Sequence, residues 1–136
     1  MQGYSKTPLA RKLGIKDGFS IMLVNQPKHY FSLFSDFPEN VVLAKNPETE
    51  SLDFIHLFCN TISSLENQAL SLKSFLKKTG MLWVSWPKGT SKIATDIHRE
   101  AVRDYMLLNV GLVDIKVAAI DKDWSGLKFV YRTKDR

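Results

Sequence analysis

A chain of 136 residues with 44% hydrophobic and 24% charged content has the size and make-up of one soluble globular domain, spanning residues 1–136. No apolar run is long enough to cross a bilayer and Met1 to Lys6 lacks a signal-peptide core, so a cytoplasmic address is expected. The single cysteine, Cys59, excludes an internal disulfide and a cysteine-rich zinc site. A net charge of +5 raises the question of an anionic partner. The basic residues are spread out, however (Arg11 and Lys12, Lys77 and Lys78, Lys88 and Lys92, Arg132 to Arg136), without interleaved aromatics. Nucleic acid is therefore not the expected partner.

Taken in order, Thr7-Pro8 ahead of Leu9 to Leu13 and Gly14 predicts a short helix over 7–14. Thr7 can cap it, Pro8 suits its first position and Gly14 its left-handed exit. Phe19 to Val24 is the first strand, ending at Asn25-Gln26-Pro27. Lys28 to Phe34 carries aromatics at helical spacing and is stopped at Asp36-Phe37-Pro38. Asn40 to Ala44 is the second strand, and Lys45 to Ser51 is a polar, proline-broken loop. Leu52 to Phe58 is the third strand, delivering Cys59-Asn60-Thr61. Ser63 and Glu66 stand at capping-box spacing, and Leu65, Ala69, Leu72, Phe75 and Leu76 form an apolar helical stripe that ends before Gly80.

The run Gly80 to Lys88 is the centre of the chain. Its apolar, β-branched and aromatic content suits a strand buried on both faces. Pro87 cannot donate to a ladder, so the strand should stop there and present Trp86 and Lys88 at its carboxyl end. After a polar loop through Lys92, Thr95 or Asp96 can start a helix with Ile97, Ala101, Tyr105 and Leu108 facing inward, ended by Gly111. Val113 to Ile120 then reads as a strand with Val113, Ile115, Val117 and Ala119 on one side. A turn at Asp121 to Gly126 and an alternating run from Leu127 to Arg132 complete an antiparallel hairpin.

Strands separated by helices and closed by a hairpin imply a three-layer α/β domain with about six strands, all parallel except one. The strand from Met81, the helix into Gly111-Leu112-Val113 and the closing Gly126 to Val130 resemble the second half of the S-adenosylmethionine-dependent methyltransferase fold, which is Rossmann-like. Thr7-Pro8-Leu9-Ala10, Lys12-Leu13-Gly14-Ile15, Leu82 to Lys88, Ala94-Thr95-Asp96 and Trp124 to Val130 further resemble a small bacterial family catalogued as a domain of unknown function. That resemblance implies the fold and brings no activity with it.

In the strand order that the resemblance implies, the winding reverses between the first and third strands, which is where ligands bind in open α/β sheets. The crevice there would be lined by Asn25, Gln26, Cys59 and Asn60, with Trp86 and Lys88 close by. Lys88 can hold a phosphate or carboxylate, and Asp96 a ligand group, although capping the next helix is the expected role of Asp96. Trp86 and Trp124 can form a stacking platform, and Asp121 can pair with Lys128 across the hairpin. Cys59 as a nucleophile would need a base; His56 lies three residues earlier on the same strand and points to the other face, so a packed thiol is expected. His29, His56 and His98 show no metal spacing. No glycine occurs between Gly18 and Gly80, and the second strand ends Leu43-Ala44-Lys45 without a carboxylate for a ribose. Ordinary S-adenosylmethionine or NAD binding is thus disfavoured.

The expectation is a degenerate module that binds a small anionic ligand or a protein partner without methyl transfer. A true methyltransferase with an atypical cofactor loop is the alternative, and nucleic-acid association the third.

Overall fold

The computed structural model describes residues 7–136. The elements are α1 (Leu9–Leu13), β1 (Ser20–Val24), a 3-10 turn (Tyr30–Leu33), β2 (Val42–Leu43), β3 (Leu52–Phe58), α2 (Ile62–Lys73), β4 (Leu76–Pro87), α3 (Arg99–Tyr105, continued by a π turn at Met106–Val110), β5 (Leu112–Ala119) and β6 (Trp124–Tyr131). The strands form one sheet in the order β2-β1-β3-β4-β6-β5. β1 pairs in parallel with β2 and β3, and β3 with β4. β6 runs antiparallel to both β4 and β5, so it is the one reversed strand, as expected.

β4 carries apolar side chains on both faces because both are covered. Leu82, Val84 and Trp86 join Leu65, Ala69 and Leu72 of α2 and Val102 and Met106 of α3 in one core. Trp83 joins Ala10 and Leu13 of α1, Tyr30, Phe54 and Phe58 in the other. β4 ends at Pro87, where the missing N–H closes the ladder. It starts earlier than expected, at Leu76, and its pairing with β3 slips between Leu52 and Phe54. Gly80 fills that irregularity: a Cβ there would lie 2.9 Å from the Leu52 carbonyl oxygen.

Several local expectations are corrected. Pro8, not Thr7, is the N-cap of α1, and the Asp36 carboxylate accepts from the amides of Ala10 and Arg11, both at 3.0 Å. Thr61 rather than Ser63 caps α2, accepting from the Ser64 amide at 3.1 Å. The second strand shrinks to two residues. Leu108 is 82% exposed instead of inward. The Gly111 amide donates to the Met106 carbonyl, five residues back, and this wider turn buries Met106 and Val110. In β5, pairing with β6 shifts by one residue between Asp114 and Lys116. Ile115 is thus a bulge, and it puts Val113 and Val117 on opposite faces.

The core on the α1 side holds polar groups in closed pairs. The Trp83 indole N–H donates to the Leu13 carbonyl at 2.8 Å. His56 Nδ1 lies 3.0 Å from the Tyr30 hydroxyl and its Nε2 lies 2.7 Å from Ser85 Oγ. A neutral imidazole has one donor and one acceptor, and two hydroxyls complement either tautomer. Burial holds the His56 pKa down to about 3, so the ring stays neutral in the folded protein. The unfolded chain protonates this histidine near its ordinary value of 6.5, so below that pH the unfolded state binds more protons. Stability should fall by about 1.4 kcal/mol per pH unit from this residue alone as pH drops from 6.5 toward 3. Urea midpoints of the wild type and His56→Gln across pH 5 to 6.5 check this: the wild type should lose stability on acidification and the variant should not.

Candidate functional site

The loop after β1, the turn after β3 and the loop after β4 meet at the carboxyl ends of the strands. Asn25 opens the first of these in the left-handed region, with φ of 59°. Its side-chain amide donates to Gln68 Oε1 of α2 at 3.0 Å, and Ser64 Oγ donates to the same oxygen at 3.4 Å. Ser64 also hydrogen-bonds the Cys59 thiol. Asn25 and Cys59 are therefore linked through two α2 side chains that span the space between them. Gln68 and Ser64 were missed because nothing in a lone helix marks which polar residues turn toward a neighbouring loop.

Cys59 is buried in the core. Burial pushes its pKa up to about 11, against a smaller opposite pull from Ser64. It is a protonated thiol, and His56 is occupied by Tyr30 and Ser85 on the other face. Asn60 is exposed at the same turn. Asp96 does not cap α3, whose N-cap is His98. Its Oδ1 instead accepts from the Ile62 amide at 2.8 Å, at the N-terminus of α2. A carboxylate already occupies the end of that helix where its dipole favours an anion.

Trp86 and Trp124 do not form a platform. Trp86 pairs with Ser125 and Pro87 with Trp124, so the two indoles sit at successive register positions and point to opposite faces. Trp86 belongs to the α2 and α3 core, and Trp124 meets Phe58 edge-on at 5.0 Å in the other. Asp121 does not reach for Lys128. It accepts from the amides of Asp123 and Trp124, each at 2.8 Å, and faces His29 Nε2 at 3.2 Å.

Two clefts flank this closed centre. One, of about 180 Å³, lies over the ends of β1 and β2 and is lined by Gln26, Phe31, Leu43, Ala44 and Lys45 with Ile21 and Leu23. The other, of about 590 Å³, lies between the loop after β4 and the hairpin turn, lined by Thr90, Ser91, Lys92, Ile93, Lys122 and Asp123. The Lys88 amide donates to the Asp123 carbonyl at 2.8 Å and Ser91 Oγ to Asp123 Oδ1 at 3.1 Å, which fix the two walls together. Among the described residues no group of His, Cys, Asp or Glu could hold a metal ion, and no helix is long and apolar enough to cross a membrane.

Solved structures with this arrangement include S-adenosylmethionine-dependent methyltransferases. An S-adenosylmethionine-dependent methyltransferase from Aquifex aeolicus matches with a TM-score of 0.58 at 14% identity, over 88% of this chain and 86% of that one. Fibrillarin from Aeropyrum pernix, with natively bound S-adenosylmethionine, matches with 0.58 at 12% identity, over 90% and 73%. A TehB-like S-adenosylmethionine-dependent methyltransferase from Corynebacterium glutamicum matches with 0.53 at 12% identity, over 96% and 90%. The chain has the methyltransferase fold. No family model and no curated protein matches the sequence, so the likeness to the small bacterial family stands on its motifs alone.

Burial and a raised pKa make Cys59 inert in the native state. Alkylation by iodoacetamide at neutral pH should run at under roughly a tenth of the rate in denaturant; equal rates would show an accessible, activated thiol.

Proposed function

We propose that this chain is a cytoplasmic single-domain binding module that uses the methyltransferase fold without methyl transfer. Its ligand is a small anion held in the cleft between the loop after β4 and the hairpin turn. Lys92 and Lys122 bring positive charge to that cleft, Thr90 and Ser91 bring hydroxyls, and the Lys88 backbone ties its two walls together. The Asp123 carboxylate there is engaged by Ser91.

The observation that carries the reading is the Asn25–Gln68 hydrogen bond across the switch point. The residues around it fit an adenosyl cofactor poorly. The loop Asn25 to His29 has no glycine, Pro27 has no amide to offer, and Asp96 takes the first amide of α2. β2 leads into Ala44 and Lys45, where a carboxylate would be needed for a ribose. One observation favours methyl transfer instead: the apolar cleft beside Phe31, Leu43 and Ala44 could take a flat ring.

Calorimetry separates the two. S-adenosylmethionine should give no heat of binding up to about millimolar concentration, and micromolar affinity would establish the alternative. Pyrophosphate serves as the probe for the basic cleft. It should shift the amide resonances of residues 90–93, and the Lys92→Ala/Lys122→Ala variant should bind it roughly tenfold more weakly. The variant's melting temperature should stay within about 2 °C of the wild type, because both lysines are solvent-exposed.

A further inference from the structure

We propose that the face of the sheet beside α1 carries a second, independent surface that binds the phosphodiester backbone of a nucleic acid through Lys12, Lys16, Lys116 and Lys128. They come from two stretches about a hundred residues apart, Lys12 to Lys16 and Lys116 to Lys128, which meet only in the fold. Lys116 and Lys128 are direct register partners across β5 and β6, although like charges opposed on a strand pair are destabilising. Lys116 Nζ donates to the Lys12 carbonyl at 2.7 Å, and Lys12 Nζ donates to the Ala119 carbonyl at 2.8 Å. A Cβ on Gly14 would lie 3.7 Å from Lys128 Nζ, which places that ammonium against the end of α1.

Lys128 feels Lys116 and Lys16, and Lys12 feels Lys116 and Lys88; burial first and these neighbours second hold both Lys12 and Lys128 below the ordinary lysine value. Lys128 thus neighbours Lys116, and Lys116 neighbours Lys12, with Lys16 near enough to Lys128 to repel it. The ion pairs of Lys77, Arg103, His29 and His98 involve none of these four lysines. The four lysines line neither of the clefts described above, so a small anion would find no enclosure. An extended polyanion neutralises such a cluster, and lysines contact phosphates as point charges without reading bases. Two of the four are anchored to carbonyl oxygens, which limits the side-chain freedom lost on binding.

Fluorescence anisotropy with labelled single-stranded and duplex oligonucleotides of unrelated sequences tests this. Affinity should not depend on sequence. It should fall with a log–log salt slope of about 3 to 4 on duplex and about 3 on single strands, as four phosphate contacts require. The Lys16→Glu/Lys116→Glu variant should bind at least tenfold more weakly, with the slope reduced by about 2. It should remain folded, because the like-charge pair it removes offsets the lost hydrogen bond of Lys116 to the Lys12 carbonyl; Lys16→Gln/Lys128→Gln serves if that variant does not fold. No binding at low salt, unchanged binding by the folded variants, or retention of acidic proteins but of neither nucleic acid would overturn the proposal. The Lys92→Ala/Lys122→Ala variant should keep nucleic-acid binding and lose pyrophosphate, so the two surfaces fail separately.

Discussion

Burying the edge of an indole obliges its N–H to find an acceptor inside the protein, and here the acceptor is the Leu13 carbonyl at the end of α1. That bond joins the middle of β4 to a helix 70 residues away in sequence. α1 has only five residues and could not hold a helix by itself. Its last turn is held by Trp83, its first by the Asp36 carboxylate, and its side by Lys12 on Ala119. The α1 face of the sheet is in this sense assembled by polar contacts, and the Tyr30–His56–Ser85 chain continues them inward. The opposite face has the larger apolar core, under α2 and α3, with polar contacts such as Lys73 Nζ on the Val110 carbonyl at 2.7 Å at its margin. The two faces differ in what disturbs them: acid and loss of hydrogen bonds act on the first, cavities on the second.

The same rule of polar satisfaction shapes the switch point. A cofactor crevice keeps backbone donors and polar tips unpaired until the ligand arrives. In this chain they are paired already: Asn25 with Gln68, Gln68 with Ser64, Ser64 with Cys59, Asp96 with the α2 amide. A ligand entering there would have to replace these bonds rather than complete them, which lowers its net gain. Two open clefts lie instead to either side of this point.

Much of the architecture was legible because apolar patterning reports burial directly. β3 was bounded to the residue at Leu52–Phe58, the end of β4 followed from Pro87, and the reversed β6 followed from the hairpin signals. What was not legible depended on geometry that patterning does not encode. Leu108 fits an ideal helical face and is exposed because the last turn widens to a π turn. Val113 to Ala119 alternates cleanly, yet the bulge at Ile115 divides it between two faces. Asp96 stands where a cap for α3 would stand, and the chain carries it instead to α2, 34 residues back. For the candidate site, the crevice residues Asn25 and Cys59 were found and the α2 side chains that close the crevice were not. The tryptophan platform failed on a one-residue difference in cross-strand register.

Charge is redistributed by folding in a related way. Along the chain Lys12 and Lys16 lie far from Lys116 and Lys128; in the fold they meet beside α1. Folding gathers them at a cost, since Lys116 and Lys128 oppose each other directly and two of the four lose basicity. A cluster that served only solubility would be better scattered, because the same net charge of +5 spread over the surface repels less. The arrangement makes physical sense if something anionic meets that face and relieves the repulsion. It is also a feature of the α1 face, the one assembled from polar contacts, so the bonds that build the face and the charges that mark it are in part the same side chains.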